Sequence, residues 1–276
     1  MASTEVMIMA WSPFYKVSLI GNRANERRTD VEGRAFVGTS GWNYRHWRGC
    51  VYEAGLAQRS WLQRIAQQFD TVEVNTSFYR IPKPETVTAW HEGTRETFLF
   101  ALKLWRGITH YRKLKNAGDL TLRFLESAEM LPENRRAPLL IQLPPNQGVD
   151  VPKLEAYLQE FRALAPTPWR IAVEFRNDSW LRSDVRTMLD RENAALCLHD
   201  MAGAAAVDEP NDVPFVYIRR HGQRYSGSYS SEEIACDAER IQRWLGEGRS
   251  AYVYYNNDIG GHAYHNALAL RSALSL

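Results

Sequence analysis

The feature that most constrains this chain is a train of eight short apolar runs, at residues 36–39, 71–75, 98–103, 139–143, 171–175, 195–198, 215–219 and 251–255. Most are continuously hydrophobic and do not alternate, which is the pattern of strands covered on both faces in a parallel sheet. Helical patterns fill the intervals of roughly 20 to 40 residues from one run to the next. Ser60 predicts a capped helix over 61–69, with Gln63 completing a capping box and Leu62, Ile65 and Phe69 on one face. Leu154, Leu158 and Phe161 form a similar stripe after Pro152. Ser183 opens a helix that turns Val185, Met188 and Leu189 inward and ends at Asn193. Ser231 opens another, with Ile234, Ala238, Ile241 and Leu245 on one face and Gly246 as its stop.

Strands alternating with helices across 35–276 match a single (β/α)8 barrel of the TIM type, a fold of about 250 residues. The competing architecture is a doubly wound open sheet, which announces itself with a phosphate loop such as GxGxxG after the first strand. Gly38-Thr39-Ser40-Gly41-Trp42 occupies that place and fits neither that pattern nor a P-loop. Its glycines predict a tight turn, with phosphate binding by exposed N–H groups as the lesser reading. Residues 1–34 end in the polar stretch GNRANERRTDVEGR and are expected to form a disordered or weakly ordered leader ahead of the barrel domain, 35–276.

Composition narrows the function classes. Hydrophobic content of 45% and charged content of 24% are those of a globular core. A net charge of +2, with the basic residues scattered, makes no electrostatic case for a nucleic-acid partner. No run reaches the ~20 apolar residues of a membrane span, so no membrane partner is expected. Cys50, Cys197 and Cys236 form no CxxC spacing, which argues against a disulfide framework and for a reducing compartment, the cytoplasm. The histidines are dispersed, and His262 and His265 read as part of a surface helix. No metal ligands are assigned and no cofactor is expected, with a divalent metal left open.

In a barrel, functional residues collect at the C-terminal ends of the strands and in the loops beyond. The second run ends in Glu73 and Asn75, with Tyr79 beyond, and the third ends at Lys103, with His110 following. The fifth run leads to Glu174, Arg176 and Trp180, and the sixth to Asp200. The seventh leads to Arg219, His221 and Tyr225, and the eighth to Asn256, Asn257 and Asp258. Side chains alternate across a strand, so Glu73 and Asn75 point the same way, as do Glu174 with Arg176, Arg219 with His221, and Tyr254 with Asn256. Ionisable groups ending apolar strands are costly unless paired or used. The plain alternative to a site is a closed salt-bridge network in which Glu73 and Glu174 neutralise Lys103, Arg176 and Arg219. Polar groups converging from six strands exceed what closure requires. Trp42, Trp47, Trp105 and Trp180 fall just past strand ends and are expected to form a stacking rim.

The same strand ends carry a family resemblance. GTSGWNYRHWRG at 38–49, VEVNTSFYRIP at 72–82, FALKLWRGITH at 100–110, QLPP at 142–145, AVEFRNDSW at 172–180, YIRRHG at 217–222 and YYNNDIGGHAYHNAL at 254–268 occur in order. With these motifs the chain resembles the bacterial and archaeal domain of unknown function 72, the YecE-like proteins. The resemblance implies a TIM-type barrel similar to the xylose isomerase and endonuclease IV group, and it implies no established reaction. It places the family's polar positions on Glu73, Asn75, Tyr79, Lys103, His110, Glu174, Arg176, Asp200, Arg219, His221, Asn256, Asn257 and Asp258. Two loops depart from it, where Asn146-Gln147 replaces an aromatic and Glu53 a proline.

Together these residues predict an enzyme acting on an anionic, phosphate-bearing substrate by general acid/base chemistry. Lys103, Arg176 and Arg219 would hold the anion. Glu73, Glu174 and Asp258 are the candidate acids and bases, and His221 would supply a second proton transfer near neutral pH. Asn75, Tyr79, His110, Trp180, Asp200, Tyr225, Asn256 and Asn257 would bind and orient the substrate. Phosphoester hydrolysis is one candidate chemistry, and a metal-free lyase or isomerase reaction on a sugar phosphate is the other. The contrasting class is a non-catalytic module for RNA or a nucleotide. The partner is a small anionic substrate or a nucleic-acid fragment, and the oligomeric state is left open.

Overall fold

Each of the eight apolar runs becomes a strand in the computed structural model, which describes residues 33–222 and 225–276. The strands are β1 (Ala35–Ser40), β2 (Thr71–Val74), β3 (Leu99–Leu102), β4 (Leu139–Gln142), β5 (Ile171–Glu174), β6 (Ala194–His199), β7 (Phe215–Arg220) and β8 (Ser250–Tyr255). They lie in the order β3-β2-β1-β8-β7-β6-β5-β4, and every pairing is parallel. The two ends of that order meet. Phe100 bridges Arg136 and Lys103 bridges Leu140, and the Leu104 N–H donates to the Leu140 carbonyl at 2.8 Å. The sheet closes on itself, so the fold is a (β/α)8 barrel and not an open sheet.

The connecting helices are α1 (Trp61–Ala66), α2 (Thr76–Tyr79), α3 (Pro84–Glu92), α4 (Gly118–Ala128), α5 (Val151–Leu164), α6 (Ser183–Arg191), α7 (Ser231–Gly246) and α8 (His262–Ala273). Two predicted caps differ. Ser60 ends a 3-10 turn with helical dihedrals, and its side chain caps nothing, so the expected box with Gln63 is not formed. The cap of α7 is Ser230, whose hydroxyl accepts from the Glu233 N–H while the Glu233 carboxylate accepts from the Ser230 N–H. Such a cap is worth about 1 kcal/mol. Gly33 is buried and the Arg34 carbonyl accepts from the Ala251 N–H at 2.9 Å, so these two residues join the barrel. The rest of the predicted leader lies outside the described residues. Among those residues no helix is long and apolar enough to cross a membrane.

Alternation along the strands sorts the core into two layers. Val37, Val72, Val74, Ile141, Val173, Leu198 and Val253 face the helices, where they meet Leu62, Ile65, Phe69, Leu154, Leu158, Phe161 and Ile241. The barrel interior holds Leu99, Ala101, Leu140, Ala172, Cys197, Phe215, Tyr217, Tyr252 and Tyr254, with Phe36 stacked on Tyr252 at 4.9 Å. Gly38 belongs to this packing and not to a turn. A Cβ there would lie 2.1 Å from the Thr71 carbonyl oxygen, so glycine lets β1 and β2 come together. Toward the C-terminal end, the inward positions change character to Ser40, Glu73, Lys103, Gln142, Glu174 and Arg219. Arg220, one residue on, points outward to a buried pair with Asp237 of α7.

Candidate functional site

The turn after β1 shapes one side of a cavity at the C-terminal mouth. Gly41 adopts φ 101°, and a Cβ on it would fall 2.8 Å from the Tyr44 hydroxyl. The chain therefore doubles back, and the Tyr44 hydroxyl donates to the Ser40 carbonyl. The cavity has a volume of about 450 Å3, within the range of small-molecule sites. Gly41, Trp42, Asn43 and Tyr44 line it after β1, Asn75, Thr76 and Tyr79 after β2, and Lys103 after β3. Gln142 ends β4, Arg176 follows β5, Arg219 and Tyr225 come from β7 and its loop, and Asn256, Asp258 and Ile259 follow β8. Among the described residues, seven of the eight strands contribute. In β6, His199 turns aside, its Nε2 lying 2.9 Å from the Phe175 carbonyl.

The floor is a closed charge network. Arg219 donates through Nε and Nη2 to Glu73, at 3.0 and 2.7 Å, and through Nη1 to Glu174 at 2.6 Å. The Tyr217 hydroxyl adds a bond to Glu73 at 2.7 Å, and the Ser40 hydroxyl another. Arg176 pairs with the other oxygen of Glu174. Glu73, Glu174 and Arg219 are almost fully buried. Two guanidinium groups thus balance two carboxylates. Burial pushes Glu174 up, but Arg219 and Arg176 outweigh it and hold its carboxyl well below the usual range.

Lys103 stands outside that balance. Its Nζ donates to Gln142 Oε1 at 2.8 Å and sits 4.2 Å from the centre of the Phe78 ring, with no carboxylate partner among the described residues. Burial, reinforced by Arg219, pulls its pKa down to about 7. Burial raises the pKa of Asp258, which lines the wall 3.3 Å from His46 Nε2, with its carbonyl accepting from Trp47 Nε1 at 2.8 Å. His221 is buried, and its Nε2 faces Arg176 Nη2 at 3.3 Å and Arg219 Nη1 at 3.4 Å. Burial and Arg219 push its pKa down to about 3. It is a neutral acceptor at pH 7 and not the expected proton shuttle. His110 is pushed down to about 4 by burial and by Lys103.

The structure brings Asn75, Tyr79, Lys103, Arg176, Arg219, Tyr225, Asn256 and Asp258 to one cavity. Glu73 and Glu174 lie beneath it, spent on arginines, and Arg219 has every donor engaged, so it does not hold a free anion as expected. Several others are placed elsewhere. Trp180 is buried against Phe175 at 4.7 Å and donates to the Gln147 carbonyl. Asn257 donates to Gly227 and Asn266. Asp200 accepts from the His221 N–H at 2.7 Å and from the Tyr229 hydroxyl. His110 stacks edge-on against Phe78. The tryptophan rim does not form, since Trp47 is buried, Trp105 faces a neighbouring groove, and Trp42 alone of the four lines the cavity. Gln142 and Tyr44 were missed, although both stand in the QLPP and GTSGWNYRHWRG motifs. Among the described residues no three His, Cys, Asp or Glu side chains converge as a metal site would.

A parallel eight-stranded barrel with a polar cavity at its strand C-termini places the chain among TIM-type barrel proteins. It belongs to the family described as protein of unknown function DUF72, whose model matches residues 36–276. The UPF0759 protein YunF of Bacillus subtilis is 24% identical over 275 residues, covering 87% of this chain and 95% of that one. YecE of Escherichia coli is 30% identical over 142 residues, or 51% of this chain and 48% of that one. The crystal structure of a DUF72 family protein from Thermotoga maritima matches with a TM-score of 0.78 at 26% identity, covering 88% of this chain and 100% of that one. One from Enterococcus faecalis matches with a TM-score of 0.73 at 25% identity, covering 89% and 99%. The family resemblance and the barrel both stand on these matches.

Proposed function

We propose that the cavity is the active site of an enzyme acting on a small anionic substrate by general acid/base chemistry, with Arg176 holding the anion and Lys103 moving the proton. The observation that carries this reading is the contrast in pairing between Lys103 and its neighbours. Structural closure accounts for Glu73, Glu174 and Arg219, which are saturated, but it gives no reason for a buried amine without a carboxylate. Arg176 lines the cavity and its Nη1 has no hydrogen-bond partner among the described residues, which supports half of its fork being open to a phosphate or carboxylate. Asn75, Asn256 and Tyr225 orient the substrate, and Asp258 is the second titratable group on the wall. An amine base suits lyase or isomerase chemistry beside a polar carbon better than it suits phosphoester hydrolysis. Three free cysteines support a cytoplasmic setting.

The test is thermal stabilisation by inorganic phosphate and by small phosphate monoesters. Wild type should be stabilised with a saturable dose dependence, and Arg176→Lys should lose most of the effect, because a point charge cannot reproduce the guanidinium fork. Equal stabilisation of both proteins overturns the reading. The non-catalytic RNA or nucleotide module draws support from one feature, the exposed rings of Tyr79 and Tyr111, which flank the Arg106 guanidinium at 5.3 and 5.5 Å. A steep salt dependence of oligonucleotide binding without product would favour that alternative.

A further inference from the structure

We propose that Lys103 is a covalent nucleophile that condenses with the carbonyl group of a small aldehyde or ketone carrying an anionic group, forming an imine in the cavity. The inference rests on the active-site reading: it keeps the cavity and Arg176 as the anion site, makes Lys103 the nucleophile in place of the base, leaves proton transfer to Asp258 on the same wall, and assigns the substrate class. Three features of the geometry point to it. Lys103 ends the inward face of β3, and its backbone is clamped by Ser77, whose hydroxyl donates to the Lys103 carbonyl at 2.8 Å and accepts from its N–H at 3.1 Å. Lys103 lines the cavity, and its Nζ makes one hydrogen bond, to the neutral amide oxygen of Gln142 at 2.8 Å, with the Phe78 ring 4.2 Å away on another side. Arg176 follows from β5, two strands round the closed barrel, and supplies the charge that would hold the anionic end of a short carbonyl compound while its other end meets the amine.

The step balances without an oxidant or reductant. The Nζ lone pair forms the C–N bond, the carbonyl oxygen leaves as water with both amine protons, and the imine draws electrons from the adjacent carbon. An amine can do this only when unprotonated, and at pH 7 the buried Lys103 has a far larger free-base fraction than a solvated lysine. A C–C or C–H bond beside the carbonyl is then the one made or broken.

The experiment is borohydride trapping on the intact protein. Glycolaldehyde phosphate, glyoxylate and uncharged glycolaldehyde are each incubated at pH 7 with sodium borohydride, and the reduced adducts are mapped by peptide mass spectrometry. Lys103 should be labelled at least about tenfold faster than Lys83, Lys113, Lys115 and Lys153, and its labelling should rise with pH through a midpoint near 7. The phosphate arm exceeding glyoxylate identifies a phosphate-bearing carbonyl substrate, and the reverse order identifies a carboxylate. Labelling spread over all the lysines in proportion to exposure overturns the imine. If phosphate still stabilises the wild type in that case, the anionic active site survives without the covalent step. If phosphate does not stabilise it, both fail.

Discussion

The floor and the wall of the cavity are built from the same kinds of side chain at the same strand ends, yet they are partnered differently. On the floor, Arg219 reaches Glu73 and Glu174 with all of its donors, and neither carboxylate is left for a ligand. On the wall, Lys103 has a neutral amide for a partner, and Asp258 has a half-exposed histidine. The difference teaches that buried charge alone does not mark a site. What separates the two regions is whether the charges nearby are already compensated, because a compensated group keeps its ordinary ionisation and an uncompensated one is shifted toward neutrality.

The largest effect should come from breaking the floor. Arg219→Met leaves two buried carboxylates short of a partner and should cost roughly 3–5 kcal/mol in urea unfolding. A loss under about 1 kcal/mol would erase the distinction between floor and wall.

The opposite sign is expected on the wall. Lys103 has a pKa near 7 folded and 10.5 unfolded, so below pH 7 the folded state carries the full cost of a buried charge. Between pH 7 and 10.5 the unfolded state binds the proton and the folded state does not, so that cost is relieved as pH rises. Lys103→Met should therefore stabilise the protein by a few kcal/mol, on the order of 2–4, at pH 6, with the gain shrinking toward pH 10. A destabilised variant at pH 6 would place Lys103 with the floor.

Arg176 spans both regions. Arg176→Lys keeps the charge beside Glu174 but loses the fork, so phosphate affinity should fall by about 1.5–3 kcal/mol, read by calorimetry. The smallest effect is on His221. Its pKa near 3 folded and 6.5 unfolded means that stability falls as pH drops below 6.5, on the order of 1–2 kcal/mol by pH 4.5. His221→Asn should flatten that acid limb in thermal melts, and an unchanged limb would show that His221 does not carry it.

The architecture was legible because strands buried on both faces write themselves as apolar runs. All eight runs became strands, and alternation correctly grouped Glu73, Glu174 and Arg219 at one end of the interior. Local signals were weaker where neighbours compete. Ser230 and Ser231 are both plausible caps, and it is Glu233, three residues after Ser230, that forms a box. Gly38 looked like part of a turn, and nothing nearby in sequence shows that the Thr71 carbonyl lies against it. Trp180 stands just past a strand end, as a rim residue would, but Phe175 and the Gln147 carbonyl take it inside.

The sequence by itself determined the barrel, its C-terminal mouth and the set of polar residues that could reach it, because periodicity and parity are properties of consecutive residues. Only the tertiary structure decided which charge meets which. Arg176, just past β5, and Arg219, in β7, are the same residue type at strand ends, and no local pattern says that one is saturated while the other keeps a nitrogen without a hydrogen bond among the described residues. Lys103 was read from sequence as one more fixed cation. Its titration near neutrality comes from burial and from Arg219, which approaches from β7 and is far away in the chain. Pairing and burial depend on distances between strands brought together by closure, and those distances exist only once the barrel has formed.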